Sequence, residues 1–518
     1  SLPVAPFVEE VVAVGPFSGG SGTGPDPYQI SNCADLRAID DTTTYLSKSF
    51  VVTTNLDCSA SSFTPLVNGS TYFSGVLEGA NNTISGLTIS CSTNNCGLFT
   101  ILNGGTVKNL SFTTPSVTSS AKNIGLIAGS GTGSLLIDNI AVNGGNVTST
   151  YSASATTHTD ESPTGGILGE YVSGTGTISD ITSSTVVAGK SATGGIVGKS
   201  STGGLLSVTD VVVTGNVSGL RSVGGVVGTH YNAVANGLTI TRATVTAASV
   251  SGLGQSIGGI LGYGWNITIA NSFSSADVSG KASGTSVGVS VGHGQGAYVG
   301  GIAGQISGGD STIRDSGSTG DVLGDGVDGS VVADGVAGIL GYARLTNFYV
   351  TRSYHRGTVT GARGVGGVAG MHGSSTFVTD SYFRSEINVT DTSTSMVGGI
   401  NGQNSGSMSI TRSYFAGTQP GLTAANRAAI SKYDNFADIT CSSFFFDKEV
   451  LGSDKTSLTT GRCGGNGGPA ALTTSAMKTV STFTSASWNF TAGTGVWSIN
   501  SLINDGYPYL ANTGGQDT

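Results

Sequence analysis

The chain has 518 residues, a formal net charge of −9 and only 10% charged residues, while 84 positions are glycine and 37% are apolar. Without a basic stripe the acidity excludes a duplex nucleic-acid partner, because such binding runs on counterion release. No apolar run approaches the roughly 18 residues of a membrane span, and so glycine-rich a composition directs attention to internal repeats.

Residues 1–21 open with SLPVAPFVEEVVAVGP, apolar and β-prone, and the start at Ser1 reads as that of a processed product. Pro3, Pro6 and Pro16 confine this extended segment to a sheet edge. It is expected either to run along its own fold or to act as a donor strand that completes a second copy. Residues 22–95 are expected to form an N-terminal cap and the first coils. Within them, Asn32 to Asp41 predict a short helix with Leu36 and Ile39 on one side, suited to covering an open sheet end. The six cysteines group as Cys33 with Cys58, Cys91 with Cys96, and Cys441 with Cys463. Of the 15 pairings six cysteines allow, this grouping favours those three. Disulfides imply an oxidising compartment, hence an extracellular or cell-surface location.

Residues 96–429 carry a repeat. Gly224-Gly225-Val226-Val227-Gly228 has counterparts at Gly165-Gly166-Ile167-Leu168-Gly169, Gly258-Gly259-Ile260-Leu261-Gly262, Gly300-Gly301-Ile302-Ala303-Gly304 and elsewhere, with starts at 96, 125, 165, 194, 224, 258, 300, 337, 366 and 398. Between these anchors, stretches such as VTDVVVTGNVSG and VTRSYHRGTVTG alternate Val, Ile and Thr with small or polar residues, which is the period of a strand. A unit this short cannot bury its own core, whereas stacked coils can. The expected fold is therefore all-β: a β-solenoid, or parallel β-helix, of about ten glycine-punctuated coils. The anchor glycines are assigned to turns and close backbone approach, and the Ile or Val between them to the core. A phosphate-binding loop would need a following helix and a Lys or Ser/Thr at fixed offset, whereas Ser/Thr/Gly strands and turns follow these anchors and Lys199, after one of them, is isolated.

Aligned coils bring residues into columns. One reads Asn109, Asp138, Asp180, Asp210, Arg242, Asn271, Asp315, Arg352, Asp380, Arg412, and two positions on stand Phe273, Gly317, Tyr354, Tyr382 and Tyr414. Alternating Asp and Arg pair across rungs. Arg352, Tyr354, Asp380, Tyr382, Arg412 and Tyr414 are the candidate face for a glycan or partner, against the plainer account of cross-strand stacking. Asp310, Asp321, Asp325 and Asp328 gather in a glycine-rich stretch as weak candidate calcium ligands, the one cofactor considered. The five histidines are scattered and no serine sits in a nucleophile elbow, so no catalytic residues are assigned. Eight sequons, at Asn68, Asn81, Asn109, Asn146, Asn216, Asn266, Asn388 and Asn489, are candidate glycosylation sites. Residues 430–518, with Trp488 and Trp497, are expected to form the C-terminal cap.

The repeated pattern, as in ITRSYFAGTQ and VTRSYHRGTVTG followed by VGGVAG, resembles the GLUG-motif repeats of bacterial surface and secreted proteins. The flanks GTGPDPYQISNCADLRAI, FSGVLEGANNTISGLTI and GVWSINSLINDGYPYL resemble the lead-in, first coil and closing segment of such proteins. The resemblance implies a β-helix exposed on, or released from, a cell surface, with adhesive or architectural work and no catalytic residues. The expected function is thus an extracellular structural or adhesive protein, with assembly into a filament through its N-terminal strand as one form. Its expected partners are copies of itself or a cell-surface glycan. A glycan-binding adhesin and a β-helical polysaccharide lyase or hydrolase are the alternatives.

Overall fold

A computed structural model describes residues 15–515 except 61, 68–70, 153–160, 232–235, 282–297, 326, 329–330, 333, 345–346, 374, 392–395, 432–438, 456–462 and 464–469. The extended segment at residues 1–14, with its donor-strand reading, lies outside the described residues. Residues 17–21 belong to the cap: Phe17 stacks on Tyr28 at 4.6 Å, and the Ser18 amide donates to the Gln29 carbonyl.

The chain is a parallel β-solenoid, as its periodicity predicts. One coil serves to define its parts: β1 (Arg221–Gly224), β2 (Val227–His230), β3 (Leu238–Val245) and β4 (Ser249–Gly252). Strands at the β1 position stack into a seven-stranded sheet and those at β4 into a ten-stranded one, while the β2 and β3 positions form the largest sheet. In two coils the β2 and β3 positions are continuous, as Leu168–Ser183 and Val197–Val213. The β2 ladder runs in register through ten anchors from Phe99 to Asn401. Unequal repeat steps leave this register intact, because the extra residues leave at corners between strands.

The alternation read from sequence sets the core. Along β3, Val208, Ile240, Ile269, Ile313, Val350, Val378 and Ile410 stack inward and are fully buried. A second inward column runs Val213, Val245, Ser274, Ser318, His355, Phe383, Phe415 and Phe446. From the anchor at 194 onward the second glycine faces this column across the coil: a β-carbon on Gly225 would lie 2.8 Å from Val245, and one on Gly338 2.3 Å from His355. The glycines thus act by close approach. None of Gly224, Gly225 or Gly228 takes a positive φ, which corrects their assignment as left-handed turn residues. The two anchor valines are core residues as expected.

The left-handed corner falls elsewhere. Asn109, Asn139, Asp180, Asp210, Arg242, Asn271, Asp315, Arg352, Asp380, Arg412 and Ser443 all have φ between 43° and 54°. Asn and Asp tolerate this region and Arg does not favour it. The column begins as expected but holds Asn139 rather than Asp138, which pairs one position earlier with Lys108 and Ser179.

At the N-terminus α1 (Cys33–Arg37) is capped by the Asn32 side chain, which accepts from the Ala34 and Asp35 amides, and it buries Leu36 as predicted. The three expected disulfides are formed. The C-terminal boundary shifts. The coil ladders continue past residue 429, through Ile439–Ser442 and Phe445–Asp447 to Ala470–Leu472. Residues 473–515 then turn back along the side of the stack rather than closing its end.

Candidate functional site

The face assigned to a ligand from sequence is occupied by the protein itself. Tyr354, Tyr382 and Tyr414 are fully buried and stack in sequence at 5.1 and 5.3 Å. Over them lies the strap of residues 473–515. Trp497 packs on Tyr382 and Tyr414, and Trp488 on Tyr414. The Tyr414 hydroxyl donates to the Pro508 carbonyl at 2.7 Å, and the Tyr354 hydroxyl to the Gly514 carbonyl at 2.7 Å. Arg384 bonds Asp505 at 2.8 Å and lies over the Tyr507 ring, while the Tyr507 hydroxyl donates to buried Asp447. This corrects the expected ligand face: the columns align as predicted, but the rings are the bed of the strap.

The charged column beside it pairs across rungs as its alternation predicts. Arg412 grips Asp380 through both oxygens at 2.7 and 2.8 Å, and Arg352 grips Asp315 likewise. Burial raises the Asp315 carboxyl, but Arg352 and Arg314 outweigh it and hold the group below the usual carboxylate range. One step further inward a serine ladder, which the sequence reading missed, satisfies the corner. Ser272, Ser316, Ser353, Ser381 and Ser413 are buried, each donating to the carbonyl two residues before it and accepting an amide of the preceding rung. Its signal was the serine that directly follows each charged corner residue from Asp315 onward.

Of the four candidate calcium ligands, Asp310 and Asp321 have described side chains. Among the described residues no three His, Cys, Asp or Glu converge as metal ligands. Asp310 accepts from Asn347, and Asp321 from the Thr358 amide. The side chains of Asp325 and Asp328 lie outside the described residues. Of the sequons, Asn81, Asn146, Asn216 and Asn489 are exposed. Asn109 donates to Glu78 and Asn388 to Glu386, both half-buried. Asn266 is buried at 7% exposure, which removes it as an acceptor for a glycosylating enzyme, and Asn68 lies outside the described residues.

Two features emerge only in the structure. Lys199, isolated in the sequence after one anchor, is held by Glu161 at 2.8 Å and Glu170 at 3.7 Å. Its ammonium is desolvated, yet the two carboxylates win and raise its affinity for the proton. The second feature lies on the outer face of the β3 ladder. There Ser207, Thr239, Thr268, Thr312, Tyr349, Phe377 and Ser409 follow one another in register. Tyr349 and Phe377 stack at 5.0 Å with planes 13° apart, and Phe377 is 37% exposed. On the β4 face a separate groove of about 480 Å³ runs past Ser218, Ser251, Ser279, Leu253, Leu323 and Lys281.

Among the described residues no helix is long and apolar enough to cross a membrane. No family model matches the chain. Halomucin from Haloquadratum walsbyi is 36% identical over 130 residues, which is 22% of this chain and 1% of that protein. The chain therefore spans a very small part of that relative. A crystal structure of a candidate immunoglobulin A1 protease from Bacteroides ovatus aligns over 96% of this chain and 95% of its own at 14% identity, with a TM-score of 0.24, at which the likeness carries no argument.

Proposed function

We propose that this chain is an extracellular β-solenoid rod with structural or adhesive work at a cell surface. The observation that carries the reading is the stack itself: ten anchors stacked rung on rung, stapled by three disulfides that suit an oxidising compartment. Rungs about 4.8 Å apart give the ten-anchor section a length of roughly 50 Å. The segment matched by Halomucin and the likeness of the repeat to GLUG-motif proteins support the same reading. The reading assigns no catalytic step to the chain.

Small-angle scattering and negative-stain microscopy of the purified chain test the proposal. The expected particle is a narrow rod, single or joined end to end. A compact globular envelope overturns it. Release of reducing ends or unsaturated products from polysaccharides would favour the β-helical lyase or hydrolase instead.

A further inference from the structure

We infer that the outer β3 face around Tyr349 and Phe377 binds a neutral, β-linked pyranose chain. This goes beyond the rod reading, which requires no ligand.

Three observations point there. First, the two rings stand upright on an otherwise Ser/Thr column and stack on each other, so each has one face against its partner and one face directed along the rod. The residue next to Tyr349 in the ladder is Thr312, and the one next to Phe377 is Ser409. Both are small, so among the described residues no ring continues the stack in either direction, and Phe377 remains 37% exposed. Second, the place over Ser409, which no described residue's ring fills, is one rung on from Phe377. A pyranose there would continue the ladder at the spacing the two rings already keep. Its axial C–H face would cover Phe377, and its equatorial hydroxyls would meet the hydroxyls of Ser407, Ser409 and Thr411. Ser407 already donates to Ser375 at 2.9 Å, which leaves its oxygen free to accept a sugar hydroxyl. Third, the charges that flank the rings sum to zero. Arg314 and Arg352 both bond Asp315, and Asp310, which accepts from the neutral Asn347 amide, offsets the second arginine. No net charge in that set selects an anionic polymer, so the chemistry fits a neutral sugar with its hydroxyls equatorial, as in a β-1,4-linked glucan or xylan.

The test is calorimetric titration of the full chain with cellohexaose and with xylohexaose, at low and high salt. Binding of at least one in the millimolar range or tighter, unchanged by salt, is expected. Phe377→Leu keeps an apolar side chain of similar bulk but loses the flat ring, and Tyr349→Thr restores the column's usual residue. Each is expected to weaken binding at least tenfold with the melting temperature retained, and Phe377→Tyr to bind as the parent does. Tyr72→Ser, at an exposed aromatic elsewhere (46% exposed), is expected to bind as the parent does. Absence of binding by the parent chain, binding indifferent to Phe377→Leu, or affinity that collapses with salt overturns the proposal. Failure here leaves the rod untouched, since scattering reads that independently.

Discussion

A β-carbon on Gly338 would lie 2.3 Å from the imidazole of His355, and one on Gly399 would lie 2.7 Å from Phe415. Such positions have no slack, because the opposing side chain is held by rungs above and below. Gly338→Ala is expected to destabilise the fold by about 1–3 kcal/mol through overpacking, measured by chemical denaturation. His355 itself is fully buried. Ser318 donates to the Gly338 carbonyl at 2.8 Å, so at 2.9 Å the His355 Nδ1–H donates to the Ser318 oxygen. Burial pushes the His355 imidazole down to about 4, and that of buried His230 down to about 3. Both values lie below the ~6.5 of an exposed histidine. Each group therefore contributes stability above about pH 6.5 that is lost as pH falls toward its folded value, on the order of a few kcal/mol. Melting temperature is expected to drop steadily between pH 6.5 and 4. His355→Phe, which continues the aromatic column of Phe383 and Phe415, should flatten that slope.

Among the elements, the strap carries the largest consequence. It buries Met477, Phe483, Trp488, Trp497, Tyr507 and Leu510 against the tyrosine ladder, in a cluster separate from the main core. Trp497→Ala is expected to cost about 3–5 kcal/mol in a denaturant titration. Ending the chain at residue 472 should expose Tyr354, Tyr382 and Tyr414, with dye binding and a lower melting temperature. The strap also marks where sequence reading stops. The columns were legible because a period of two and repeated anchors place residues rung on rung. Their covering was not, since Trp488 and Trp497 meet Tyr414 and Tyr382 only through tertiary packing, across a separation that leaves no periodic trace. The single-position slip from Asn139 to Asp138 has a similar cause: the coil's left-handed corner, not its charge pattern, sets which residue joins the column. The outer pair Tyr349 and Phe377 was overlooked because its signal is two aromatic residues in a column of Ser and Thr. That becomes visible only when register is known.

For the molecule as a whole, the disulfides guard the ends. Cys33–Cys58 and Cys91–Cys96 lie in the first coils, and Cys441–Cys463 in the last. Reduction is expected to lower stability by about 2–4 kcal/mol per bridge, and to raise hydrogen exchange at the two ends before the middle. The β-solenoid class, the approximate number of coils and the cysteine pairing followed from composition and repeats alone. The location of a binding surface did not, because a solenoid presents several outer faces and periodicity does not say which of them is left open.

The strap also gives the rod a mechanical polarity. The Tyr354 hydroxyl reaches the Gly514 carbonyl, and the Thr513 hydroxyl reaches the Arg352 carbonyl, so the tail bridges rungs laid down some 160 residues earlier. Under tension along the axis those attachments are loaded in shear, side by side, whereas among the described residues coils before Phe273 have no such tie from the strap. Pulling a single molecule from both ends should release the early coils one rung at a time at low force. The strapped section should give way last, in one larger step.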